Sequence, residues 1–135
     1  MGMVLSGGAI RRGVRDGRIG ISPYDEGQIE AAHINLRLGD SDAMRDGVLV
    51  VQPAQFVLAR TLEHITLPKN LCGHLEGRSK LAQLGLSIEQ SSTFVEPGSD
   101  STMVLEIYNV SSEAVRLERG KNVAKLILMQ ITDNF

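Results

Sequence analysis

The chain has one cysteine, no tryptophan, four prolines and only five Phe or Tyr side chains in 135 residues. Each scarcity excludes something. Cys72 alone cannot close a disulfide within the chain, and a reducing, cytoplasmic setting is the expectation. The same count removes every cysteine-rich zinc site, including the one used by zinc-dependent nucleobase deaminases. So few aromatics cannot supply an extended platform for stacking bases. Lys and Arg total 14 against 16 Asp and Glu, a net charge of −2. That balance lacks the cationic excess that grips a DNA or RNA backbone, so no nucleic-acid polymer is expected as a partner. No apolar run approaches the ~18–20 residues of a membrane helix, and the N-terminus carries no signal-like apolar stretch. No membrane association is expected.

What is present is a string of short alternating segments among 14 glycines. Ser6 reads as a helix N-cap, with Ile10 and Val14 forming the apolar stripe of a short helix and Arg11, Arg15 and Arg18 on another face. Residues 22–27 form a turn cluster. Strands are predicted within Ala31–Gly39 and at Gly47–Val51, Gln55–Arg60, Leu71–Leu75, Leu86–Gln90, Thr102–Asn109, Ala114–Leu117 and Val123–Gln130. Residues 78–84 read as a helical turn with Leu81 and Leu84 sharing a face. The length fits a single domain, 1–135, and the strand density predicts an all-β sandwich or barrel-like fold with one N-terminal helix.

Two places carry chemistry. In Met103-Val104-Leu105-Glu106-Ile107-Tyr108, alternation puts Met103, Leu105 and Ile107 on one face and Val104, Glu106 and Tyr108 on the other. A carboxylate between two apolar neighbours is partly desolvated, which suits a general base; the pattern also fits a solvent-facing glutamate. Gly77-Arg78-Ser79-Lys80 is a turn whose guanidinium, hydroxyl and ammonium can meet phosphate oxygens, or simply face water. His33, His64 and His74 have no metal-ligand spacing, and Asp40, Asp42 and Asp100 read as turn residues.

The run Gly77-Arg78-Ser79-Lys80-Leu81-Ala82-Gln83-Leu84-Gly85-Leu86, followed by Val95-Glu96-Pro97-Gly98 and Leu105-Glu106-Ile107-Tyr108-Asn109, resembles the central motifs of the dCTP deaminase and dUTPase family. Ala32-His33-Ile34-Asn35-Leu36-Arg37-Leu38-Gly39, Thr61-Leu62-Glu63 and Arg119-Gly120-Lys121 extend the likeness over most of the chain. The resemblance implies a distorted jelly-roll subunit, a homotrimer with sites between subunits, and a deoxypyrimidine nucleoside triphosphate as ligand. It implies Glu106 as the general acid/base for water attack at C4 of cytosine, and Ser79 as the hydroxyl that orients that water. Arg78 becomes a phosphate ligand, and Lys80, Gln83, Gln90, Ser92 and Glu96 occupy further substrate-binding positions. Mg²⁺ would arrive on the triphosphate, with no metal bound by the protein itself.

The chain also departs from the family pattern. Gln83 stands where a second arginine is usual, Glu89-Gln90-Ser91-Ser92 replaces His-x-Thr-Ala, and His33 and Asn35 replace a serine and an aspartate. Three functions follow. The first is zinc-independent deamination of dCTP to dUTP, or to dUMP if diphosphate release is coupled. The others are a nucleotide-binding or sequestering trimer without catalysis, and a purely structural or interaction trimer.

Overall fold

The computed structural model describes residues 3–88 and 93–133. A helix, α1 (Gly7–Arg15), opens the fold, with Ser6 Oγ accepting from the Ala9 amide at 3.1 Å. Ile10 and Gly13 turn inward from it, and a Cβ at Gly13 would come within 2.6 Å of Ile19 Cδ1, so a larger residue there would have to displace the Ile19 side chain. Arg11 donates to the Ile29 carbonyl at 3.0 Å, whereas Arg18 lies beyond the helix end and pairs with Asp16. The continuous three-arginine face expected from the sequence is therefore absent.

The remainder is almost entirely strand: β1 (Gly20–Ser22), β2 (Ile34–Arg37), β3 (Val48–Val51), β4 (Phe56–Thr66), β5 (Leu71–Gly77), β6 (Leu86–Ile88), β7 (Phe94–Val95), β8 (Asp100–Asn109), β9 (Val115–Glu118) and β10 (Asn122–Gln130). They form one sheet in the order β1-β4-β8-β6, a second in the order β2-β10-β5-β7, and a β3-β9 ribbon. Asp46-Gly47 turns the chain into β3 with positive φ at both residues (51° and 77°), and Arg45 and Val48 exchange both backbone hydrogen bonds. One core joins the layers, with Leu36, Leu105, Ile107, Leu126 and Leu128 at zero exposure. Among the described residues no helix is long and apolar enough to cross a membrane.

The β-rich architecture agrees with the sequence reading, and three details do not. β4 runs six residues past its expected end at Arg60, with a register shift against β8 between Arg60 and His64. Val57, Ala59, Thr61, Glu63 and Ile65 are all buried, but two of those five inward positions are polar and disguise the alternation. β1 and β7 fall where no strand was read, each too short to show a period. Leu84, expected to share Leu81's buried face, is half-exposed.

Candidate active site

The Arg78 region is built where β5 gives way to a five-residue helix, α2 (Ser79–Gln83). Arg78 occupies the residue before it, in extended conformation, and buried Leu81 anchors the turn. Ser79, Lys80 and Gln83 are exposed around that anchor. Behind the turn, Gly85 has φ +91° and its missing Cβ would sit 2.5 Å from Ser111 Cβ, so the chain closes tightly onto the loop after β8. That loop is itself fixed by Asn109, fully buried, whose amide donates to the Val51 and Glu113 carbonyls and accepts from Ser111 N and Oγ.

Arg78 Nη1 donates to Asn35 Oδ1 at 2.7 Å. Asn35 is buried, its amide oxygen lies 3.1 Å from His33 Nε2, and its nitrogen donates to Glu30 Oε2 at 3.3 Å. Beneath it stands a second network that sequence reading did not identify. Glu63, with no exposed surface, accepts from Arg37 Nε (2.7 Å), the Arg37 amide (3.0 Å) and Gln28 Nε2 (2.8 Å). A buried carboxylate is tolerated only when its oxygens are met in this way. Gln28 Nε2 also holds the Asn35 carbonyl at 2.9 Å, so the network fixes the backbone that presents Asn35 to Arg78.

Strand register adds two more charged groups. Lys125 is paired with Asn35 on one side and with Glu76 on the other, so the three side chains stand in a row across β2, β10 and β5. Paired residues in a sheet share a face. Nothing in the local sequence marks Lys125; the signal exists only in the pairing of strands far apart in the chain.

Glu106 sits in the other sheet. The alternation on β8 is as expected: Met103, Leu105 and Ile107 are buried, while Val104, Glu106 and Tyr108 face outward. Leu58 is its partner on β4, and Phe56, Leu58 and Val104 are exposed large apolar residues on the same outward face. Glu96 is exposed in the turn before β8 and lines a cleft of about 430 Å³ with Phe94, Arg60 and Thr102. Gln83 lines a different cleft, of about 410 Å³, with Ser111–Arg116. Gln90 and Ser92 lie outside the described residues.

Within one chain, then, Arg78 reaches Asn35 on the second sheet, with Ser79 and Lys80 next to it in the α2 turn, while Glu106 faces outward from the first. Elsewhere on that first sheet His64 Nε2 lies 2.6 Å from Asp100 Oδ1, which also accepts from Thr66 Oγ1 at 2.9 Å. These two hydrogen bonds, the histidine's first, hold the Asp100 carboxyl below its ordinary value. Asp100 thus begins a strand rather than a turn. Tyr24 shifts the other way: burial, then the nearby Glu26 carboxylate, raises its phenol above the usual range.

Known proteins share this architecture. A dCTP deaminase (2′-deoxycytidine 5′-triphosphate deaminase) from Agrobacterium tumefaciens superposes with a TM-score of 0.80 at 16% identity, covering 96% of this chain and 48% of that one. This chain therefore spans about half the length of that protein. A dUTPase from phage phi11 of S. aureus superposes with a TM-score of 0.66 at 13% identity, covering 87% of this chain and 93% of that one. At such identities the likeness establishes the fold, the β-rich jelly roll of these proteins. In sequence, a dUMP-forming dCTP deaminase of Parafrankia sp. (strain EAN1pec) is 32% identical over 155 aligned positions, covering 96% of this chain and 77% of the relative. The family model described as dCTP deaminase-like matches residues 41–131. With the family model matched over residues 41–131 and a relative 32% identical across 96% of this chain, the chain belongs to the dCTP deaminase-like family.

Proposed function

We propose that this protein deaminates dCTP by zinc-independent hydrolysis, acting as a single domain within a homotrimer. Its place in the family supports deoxypyrimidine nucleotide metabolism, and the observation that carries the reaction is Glu106, presented outward in the middle of β8 between buried Leu105 and Ile107. Water adds to C4 of cytosine as Glu106 takes one of its protons. The proton then passes to the C4 amino group, the C–N bond breaks, and ammonia leaves a uracil ring. Ser79 orients the water.

Arg78 binds phosphate oxygens through the N–H groups that Asn35 leaves free, helped by Lys80 and by Lys125. Gln83, Gln90, Ser92 and Glu96 complete the substrate contacts. Mg²⁺ belongs on the phosphate oxygens, where it neutralises charge. Outward Phe56, Leu58 and Val104 support association, because a second copy laid over them would shield Glu106 from water and bring other groups to it. Whether the product leaves as dUTP or as dUMP is decided by water at the α-phosphate. The dUMP-forming name of the Parafrankia relative favours dUMP.

A second reading is supported by Gln83. It lacks the positive charge usual at its position and lines the Ser111–Arg116 cleft. On this reading the trimer binds the nucleotide without converting it. Incubating the protein with dCTP and Mg²⁺ and measuring ammonia separates the two. Ammonia released in step with a deoxyuridine nucleotide supports catalysis; tight binding of dCTP that stays unchanged replaces it with the second reading.

A further inference from the structure

Asn35 is tied at every polar atom of its side chain. Its nitrogen faces Glu30 Oε2, so its oxygen faces Arg78 Nη1 and His33 Nε2. An amide oxygen only accepts, and therefore His33 Nε2 carries a hydrogen. Because Asn35 is 6% exposed and Gln28 holds its carbonyl, neither partner can pull it aside. His33 and Arg78 thus meet on one fixed atom.

The charges around that atom nearly cancel. Arg78 and Lys125 are positive, and Glu30 and Glu76 are negative. Arg37 and Glu63 neutralise each other beneath. The amide of Asn35 adds nothing, where a carboxylate would offset Arg78 directly. Two histidines stand near this cluster: His33 itself on the Asn35 oxygen, and His74, which shares the Glu76 face of β5.

We infer that His33 is a positioning residue of the phosphate cradle, which steadies Arg78 through the shared Asn35 oxygen and takes up a proton when a nucleoside polyphosphate binds. The inference rests on the nucleotide-binding reading. A polyanion at Arg78 favours the protonated imidazole. By reciprocity, the protonated imidazole favours the polyanion. Affinity therefore rises as pH falls through the histidine range, and binding draws protons from the buffer.

The test is dCTP binding by calorimetry from about pH 5.5 to 8, in buffers of different ionisation enthalpy, using the Glu106→Gln variant so that ligand is not consumed. With His33 present, affinity should rise about three- to tenfold toward the acid end, tenfold corresponding to one unit of histidine shift. Adding His33→Gln, which keeps a hydrogen-bonding side chain without a titration in this range, should flatten most of that rise and remove the matching proton uptake. A third protein, Asn35→Asp in the same background, should bind more weakly throughout, because its carboxylate offsets Arg78 and faces Glu30. Equal pH profiles with and without His33 would overturn the inference while leaving nucleotide binding intact. No dCTP binding at any pH by the unmodified protein would remove the parent reading and the inference together.

Discussion

Arg78 Nη1 lies 2.7 Å from Asn35 Oδ1, joining residues 43 apart in sequence at the edge of the second sheet. The contact aims a guanidinium without neutralising it. One N–H is committed to a neutral acceptor, and the planar fork keeps its charge for an anion. Removing that charge should show mainly in binding. Arg78→Ala is expected to raise the KM for dCTP by about 10- to 100-fold, as the loss of charged hydrogen bonds worth ~1.5–3 kcal/mol implies. Initial rates across a dCTP series check it; an unchanged KM would take Arg78 out of the phosphate site.

The Glu63 network predicts an asymmetry. Arg37→Met leaves the fully buried Glu63 carboxylate without its cation and should cost about 3–5 kcal/mol. Glu63→Gln keeps an acceptor and removes the buried charge, so it should cost less. Urea unfolding of both variants at one fixed protein concentration gives the comparison, and equal losses would contradict the assigned role.

Why this network escaped the sequence reading is clear from its members. Gln28 lies in a turn, Arg37 ends β2 and Glu63 lies in β4 at an inward position where alternation predicts an apolar residue. Burial of a charge is a tertiary property and leaves no local period. By contrast, β8 was legible because Met103, Leu105 and Ile107 are apolar and alternate without interruption. The Ser6 cap was legible because capping chemistry is local. Arg78, Ser79 and Glu106 are singled out by a family resemblance, whereas Lys125 and the Asn35 hub required strand pairing to be seen.

Gly85 should not tolerate a side chain. Its φ of +91° disfavours any L-residue, and an added Cβ would stand 2.5 Å from Ser111 Cβ. Gly85→Ala is expected to destabilise the fold by more than about 1 kcal/mol and to displace the α2 turn that carries Ser79. Thermal unfolding reports the first effect and dCTP affinity the second. A neutral substitution would show that the Asn109–Ser111 loop yields easily.

Asp100 gives a pH signature. Its carboxyl is held below the ordinary value of 3.8 by hydrogen bonds, first from His64 and then from Thr66. A carboxylate whose folded pKa is lowered stabilises the native state above its unfolded pKa, and that contribution is lost as pH falls through the folded value. Carboxyl-carbon NMR titration should place the Asp100 midpoint below 3.8, and His64→Ala should move it back toward that value. A midpoint unaffected by His64→Ala would show that the contact does not persist in solution.

The most direct test of the whole account is the rate of dCTP conversion by the unmodified protein and by Glu106→Gln, followed by chromatography of the nucleotides. The amide matches the carboxylate in size but cannot carry the proton from water to the leaving amine. The account predicts a deoxyuridine nucleotide from the unmodified protein, and a rate lower by a factor of about 10²–10⁴ in the variant with its thermal unfolding nearly unchanged. Equal rates in the two proteins would contradict it.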